Sequence, residues 1–267
     1  MTNKPLDFNR DFLSFSNGNA KLGKDTLITS LPAGSTCPGS DICQSMVILD
    51  KDGNRKIKDG KTCEFRCFAA SEEVRRGNIY LSRKRNYELI NYHVQRGSFY
   101  KLVNLIERSI DKKKTRNTKK IRIHQSGDFY KPLYLKSWLK VAENNPQYKF
   151  YCYSKSLNLF LDRKLPESFF LTCSVGGKYD YLIYKGYFKR YAIVVNSEDE
   201  ARALGMLHIG KPYEIDHDDS NCLKKGKHSF CHLLHGTQPK GSDASKELNK
   251  RKKLKKNNKS IFTGYSK

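Results

Sequence analysis

The chain has 267 residues, enough to bury a substantial core in one large α/β domain or two small ones. Its start, MTNKPLDFNRDFLSF, has no apolar stretch with a cleavage site, and no window approaches 18 consecutive apolar residues. Neither a secretory signal nor a membrane span is expected, and the expected setting is a reducing cytoplasm. Lys and Arg number 51 against 27 Asp and Glu, a net charge of +24. Such an excess draws polyanions by counterion release, and nucleic acid is the commonest of them; the plainer alternative is the Lys-rich coding habit of an AT-rich genome.

In chain order, residues 1–12 read as an N-terminal arm. The first dense group is of cysteines, Cys37, Cys43, Cys63 and Cys67, with Pro38-Gly39 and Gly60 marking loops around them. Ser98–Ile110 then puts Phe99, Leu102, Val103, Ile106 and Ile110 on one helical face. The basic cluster Lys112, Lys113, Lys114, Arg116, Lys119 and Lys120 reads as an exposed loop ahead of an alternating strand, Ile121–His124. Leu133–Asn144 repeats the helical spacing with Leu135, Trp138, Leu139 and Ala142. Lys149–Tyr153 and Phe169–Cys173 are short and aromatic-rich, as strands are, and Cys152 and Cys173 within them read as buried, inert thiols. Tyr191–Val195 is an apolar strand, Ser197 and Glu200 form a capping box opening a helix over Glu198–Leu204, and Glu214–Asp216 reads as a last short strand. Cys222 and Cys231 follow, the second among His228, His232 and His235. Residues 241–267, dominated by lysine from Lys246 onward, read as a flexible basic tail.

Strands separated by helices imply right-handed βαβ units, hence one α/β domain over residues 13–240 with a mainly parallel sheet, open or closed into an irregular or partial (β/α) barrel. In that architecture chemistry collects past the carboxyl ends of the strands. Those positions hold His124-Gln125-Ser126-Gly127-Asp128, Tyr153-Ser154-Lys155, Cys173-Ser174, Asn196-Ser197 and Asp216-His217-Asp218. Gly127 permits a positive φ that aims the Asp128 carboxylate across the strand ends, as a ligand, an acceptor or a general base; the alternative is a turn or helix cap before Pro132. Lys155 is a candidate base or anion contact beside the reading of an ordinary surface lysine, and His124 completes a candidate catalytic set. Ser126, Gly127, Ser174 and Asn196 are candidate cofactor contacts. Asp216, Asp218 and Asp219 beside His217 offer oxygen and nitrogen ligands for a hard cation, but their spacing matches no metal loop and favours a solvated acidic turn.

Cys37, Cys43, Cys63, Cys67, Cys222 and Cys231 are candidate metal ligands, since soft thiolates select zinc or iron–sulfur clusters. The front four read C-x5-C, then nineteen residues, then C-x3-C, without the paired C-x2-C knuckles of zinc sites. Three of them with one back cysteine would complete a zinc site or a cubane cluster.

Five segments together resemble one phage family, gene product 88: Leu13-Ser14-Phe15-Ser16-x-Gly18-Asn19-Ala20-Lys21-Leu22, Leu31-Pro32-Ala33-Gly34-x-Thr36-Cys37-Pro38-Gly39, Arg66-Cys67-Phe68-Ala69-Ala70-x-Glu72, Arg122-Ile123-His124-x-Ser126-Gly127-Asp128-Phe129 and Phe150-Tyr151-x-Tyr153-x-Lys155-Ser156. The resemblance implies a bacteriophage origin, a host-cell cytoplasm and a shared scaffold, and it names no reaction. The order of a Cys-Pro-Gly/Cys…Cys-x-Ala segment, a strand ending in Gly127-Asp128, one ending in Tyr153-Ser154-Lys155 and one ending in Cys173-Ser174-Val175-Gly176 is similar to phage proteins with a radical-SAM-like barrel. That likeness implies a [4Fe–4S] cluster on Cys37, Cys43 and Cys67, with one iron left for S-adenosylmethionine, although C-x3-C-x2-C spacing is absent and Gln44–Lys61 intervenes.

Two functions fit these readings. One is an enzyme with a cysteine-bound iron–sulfur or metal site acting on DNA or RNA, with Asp128 and Lys155 at the strand ends. The other is a zinc-stabilised, non-catalytic nucleic-acid clamp. A third, contact with a host protein through an aromatic surface, rests on 16 Tyr and 14 Phe.

Overall fold

The computed structural model describes residues 5–19, 21–224, 226 and 228–257, the last three without their side chains. Among these, a seven-stranded sheet runs in the order β1 (Ser16–Asn17), β2 (Thr26–Ile28), β5 (Lys120–Ile123), β6 (Lys149–Ser154), β7 (Phe169–Ser174), β8 (Tyr191–Val195) and β9 (Phe230–Leu233). The two intervening strands, β3 (Ser45–Leu49) and β4 (Arg55–Asp59), form a separate antiparallel hairpin. From β2 to β9 every pairing in the main sheet is parallel, and β1 alone is antiparallel to its neighbour. Spatial order therefore follows chain order without reversal, which is the strand order of a (β/α) barrel.

The connections carry α1 (Phe68–Arg75), α2 (Gly77–Gln95) and α3 (Phe99–Lys113) between β2 and β5, and α4 (Pro132–Asn144) between β5 and β6. Further along come α5 (Tyr181–Tyr184), between β7 and β8, α6 (Glu198–Ile209), between β8 and β9, and α7 (Asp243–Asn257). The register fixes which side chains share a face: Ile121, Phe150 and Phe169 align across β5–β7, and Ile123 aligns with Cys152. They meet Leu102, Val103, Ile106 and Ile110 of α3 and Leu135, Trp138 and Ala142 of α4 in the main core. Val195, Cys231 and Leu233 continue that face under Ala201 of α6. Right-handed crossovers that always step to the next strand put their helices on one side. The other face, carrying Arg122, Tyr151, Tyr153, Phe170, Thr172, Ala192, Phe230 and His232, is closed by the turn Ser220–Leu223 and by Lys21.

Local signals account for most helix ends. Pro132 opens α4 at its first turn, where the lost N–H has no partner anyway. At α6 the Ser197 hydroxyl accepts the Glu200 amide (3.1 Å), the Glu200 carboxylate accepts the Asn196 amide (2.7 Å), and Gly210 ends the helix at φ 68°. Two expected elements differ. Glu214–Asp216 supplies only a single bridge, Ile215 to Cys231, because Asp216 turns away at once to cap the following loop. The expected basic tail is helical over Asp243–Asn257, with Ala244, Leu248 and Arg251 buried, while 258–267 lie outside the described residues. No helix among the described residues is long and apolar enough to cross a membrane.

Candidate functional site

The segment Leu31–Ser45 lies across the carboxyl ends of β5, β6 and β7. Its backbone is stitched down by Leu31 N–H to Ser126 O (2.8 Å), Asp128 N–H to Thr36 O (3.2 Å), Lys178 N–H to Gly39 O (2.9 Å) and Ile42 N–H to Gly176 O (3.3 Å). Contact is close enough to demand glycine: a Cβ on Gly39 would stand 2.3 Å from the Lys155 carbonyl oxygen, and one on Gly127, at φ +84°, 2.6 Å from Leu31 Cβ and Thr36 Oγ1.

This seating gathers the front cysteines. Cys37, Cys43 and Cys67, from three separate turns, lie near enough to feel one another's charge, with Cys37 also beside Asp128. Cys67 stands at the residue before α1, and its amide donates to the buried Ser45 hydroxyl (3.3 Å). Cys63 Sγ lies 3.5 Å from the same hydroxyl and donates to Phe65 O (3.2 Å). Burial, then Asp128 and the other two thiols, pushes Cys37 well up; burial and then Cys43 push Cys67 up to about 12. Thiols that discourage one another's ionisation in this way are the groups a cation placed among them would ionise. Among the described residues, no three of the sulfurs lie mutually within 4.8 Å.

Cys222 and Cys231 do not join it. Cys222 is buried against Thr172 (3.5 Å) near Asp219 and Tyr153, and Cys231 faces the opposite side of the sheet with Val195 and Tyr213. Cys152 and Cys173 are buried core thiols. Of the imidazoles, His228 Nε2 meets Asn221 Oδ1 (3.1 Å), His232 Nδ1 meets Asp216 O (3.2 Å), and the His235 ring lies 4.4 Å from that of Phe68, next to Cys67 in the chain.

The candidate catalytic residues are strand-end groups turned inward. Asp128 Oδ1 accepts from Phe129 N–H (2.7 Å) and Ser154 Oγ (2.7 Å), and Oδ2 from Lys155 N–H (2.8 Å) and Ser156 N–H (3.2 Å). These four donors fill the four lone-pair directions of a carboxylate. Burial pushes its carboxyl above the ordinary range against their pull. Lys155 Nζ donates to Ser174 O (3.2 Å), Ser174 Oγ (2.9 Å) and Val175 O, so all three of its protons are engaged and the amine is a charged clasp. His124, at φ 67°, is buried between Phe129 and Tyr134, shares Nε2 with the Tyr134 hydroxyl (2.9 Å), and is held by burial down to about 3. Ser126 Oγ reaches Glu73 Oε1 (3.4 Å), while Asn196 serves the α6 cap away from the cysteines.

Glu73 escaped the sequence reading, and the expected solvated acidic turn is corrected, because Asp216 and Asp219 are both buried. Glu73 is buried beside Cys67: its Oε1 accepts from Ala33 N–H (3.0 Å) and Arg83 (2.9 Å), and its carboxyl is raised by burial with Arg83 opposing. On the sheet's other face Asp219, at φ 62°, receives Lys21 Nζ (2.5 Å), Arg122 (2.6 Å), Tyr153 OH (3.2 Å) and Tyr151 OH (3.4 Å). Against the upward push of burial, Arg122 and Lys21 hold it well below the usual carboxylate range. Asp216, Asp219 and His232 have metal-like spacing, yet Lys21 and Arg122 already supply the positive charge there. Lys21 and Asp219 are 198 residues apart in the chain, so no local spacing could announce the pair.

No curated protein and no solved structure matches the chain. A family model described as Gene product 88 matches residues 13–256, which span the cysteine loops, the strand-end clasp, the Asp219 cluster and most of α7, and the chain belongs to that family.

Proposed function

We propose that the protein is a cysteine-ligated iron–sulfur enzyme acting on nucleic acid in the host cytoplasm, with Cys37, Cys43 and Cys67 as the ligands. The observation that supports the reading is the gathering of these three loop thiols over the ends of a parallel sheet. Three thiolates leave one iron of a cubane open, and such a cluster would supply one-electron chemistry there, with S-adenosylmethionine as its candidate ligand. Asp128 and Lys155 act as positioning residues: they lock the ends of β6 and β7 beneath the cysteine loop. The net charge of +24 supports a polyanionic substrate.

Anaerobic purification with iron, sulfide and zinc analysis and a visible spectrum tests this. Iron with broad absorbance, lost in Cys37→Ala, Cys43→Ala and Cys67→Ala but kept in Cys222→Ala, is the expected result. Stoichiometric zinc would favour the structural clamp, for which the nearness of Cys63 to Cys43 offers a fourth thiolate. Absence of any metal would overturn both.

A further inference from the structure

The segment from Lys178 to Tyr191 leaves β7 at Gly176-Gly177, whose backbone also holds the cysteine loop, and returns as β8. Leu182 and Ile183 are buried against Leu157 and Cys173 and anchor α5 rigidly. The residues on either side point outward: Tyr181 is 51% exposed, Tyr184 73% and Tyr187 58%. Lys178, Lys185 and Lys189 are exposed before, between and after them, and Lys185 Nζ lies over the Tyr181 ring at 5.8 Å. The one acid of the segment, Asp180, is occupied in accepting the amides of Gly176 (2.7 Å) and Gly177 (3.1 Å). Beside Tyr187 opens a cleft of about 340 Å³ lined by Phe160, Leu161, Arg163, Leu171 and Phe188, with Asp162 at φ 57° on its lip.

Exposed aromatic rings on a fixed base, interleaved with lysines, are the two components of single-strand recognition: rings for base faces, cations for phosphates. Protein interfaces also favour tyrosine, but they are depleted in lysine. Base faces within a duplex are stacked on one another and closed to a side-chain ring. We propose that this face binds single-stranded nucleic acid. Bases stack on Tyr181, Tyr184 and Tyr187, one of them entering the cleft, while Lys178, Lys185 and Lys189 meet phosphates, and the strand leads along the shared loop to the cysteines. The inference rests on the nucleic-acid part of the function proposed above and is independent of the cluster.

Fluorescence anisotropy with a labelled single strand of about 16 nucleotides, and with its duplex, tests it. The single strand should bind more tightly. The triple variant Tyr181→Ala, Tyr184→Ala, Tyr187→Ala should lose roughly a hundredfold in affinity with an unchanged salt slope, since stacking carries no charge. Replacing the three lysines by alanine should instead flatten the slope by about 2. Unaltered circular dichroism, expected for outward-facing rings, confirms folding. If the tyrosine variant binds as well as wild type, the proposal falls while the nucleic-acid reading stands; if wild type binds neither ligand, both fall. Self-association in sedimentation that the tyrosine variant abolishes, with nucleic-acid binding untouched, would identify a protein interface and overturn the proposal.

Discussion

Asp128→Ala separates a chemical role for this carboxylate from a positioning one. The substitution strands the amides of Phe129, Lys155 and Ser156 and the Ser154 hydroxyl in a buried site. Ser154 can rotate, and Ser156 N–H keeps its second acceptor, Ser154 Oγ at 3.1 Å. Two amides are then left without partners, each costing about 1–3 kcal/mol, so a loss of about 4 kcal/mol is expected. For a domain of this size that is a fall in Tm of about 8–16 °C. Asp128→Asn should lose nearly as much, because whichever way the amide turns, its NH2 faces a backbone donor. Since the Asp128 charge also opposes ionisation of Cys37, the Ala variant should ease formation of that thiolate, read as faster alkylation by iodoacetamide in the metal-free protein. Urea unfolding followed by circular dichroism gives the first quantity and a timed alkylation the second. A variant with wild-type Tm and alkylation rate that nevertheless abolishes activity would refute this account and return Asp128 to the chemistry.

Asp219→Asn should destabilise by about 3–5 kcal/mol, because it leaves Lys21 and Arg122 buried without a full counter-charge; a loss under about 1 kcal/mol in urea titration would contradict the described triad. Acid should weaken the fold early. The buried His124 ring is held down to about 3, whereas an unfolded imidazole titrates near about 6.5. Between those values the unfolded chain binds the proton and the folded one does not, so stability falls with pH by about 1.4 kcal/mol per unit for that group alone. His232 and His235, also held at about 3, act in the same direction, and a Tm that stays level from pH 7 to pH 5 would count against all three. Gly39→Ala should unseat the cysteine loop through the 2.3 Å clash with Lys155, raising protease cleavage near Cys37–Cys43 while leaving helix content unchanged.

The strands β5–β8 and the helices α3, α4 and α6 were legible because their apolar residues keep a clean period of 2 or 3.6 against one core face. The helix α2 was not, since it buries Arg83, Asn86 and His93, polar residues whose partners come from α1 and the N-terminal segment. The strand β9, Phe-Cys-His-Leu, reads as a ligand cluster until Ala192 and Val194 are seen beside it. At the site, position was readable and use was not. Strand-end counting finds His124, Asp128, Lys155 and Ser174, but the polarity of the last three serves the strand ends across 19 to 28 residues of chain, which only the register reveals, while His124 turns to Tyr134. Cys37, Cys43 and Cys67 converge as loop-borne thiols with marked turns can, while Cys222 and Cys231 belong to two different faces of the sheet.

The strand order also sets a schedule. Because the sheet is laid out in chain order, the cysteine loop leaves the ribosome before β5–β7, the platform that seats it, and its fastening from Gly39 to Lys178 spans 139 residues (178 − 39). At about 5–20 residues per second of synthesis, this leaves roughly 7–28 s in which Cys37 and Cys43, carried by that loop, are reachable by oxidants before the strand ends close beneath them.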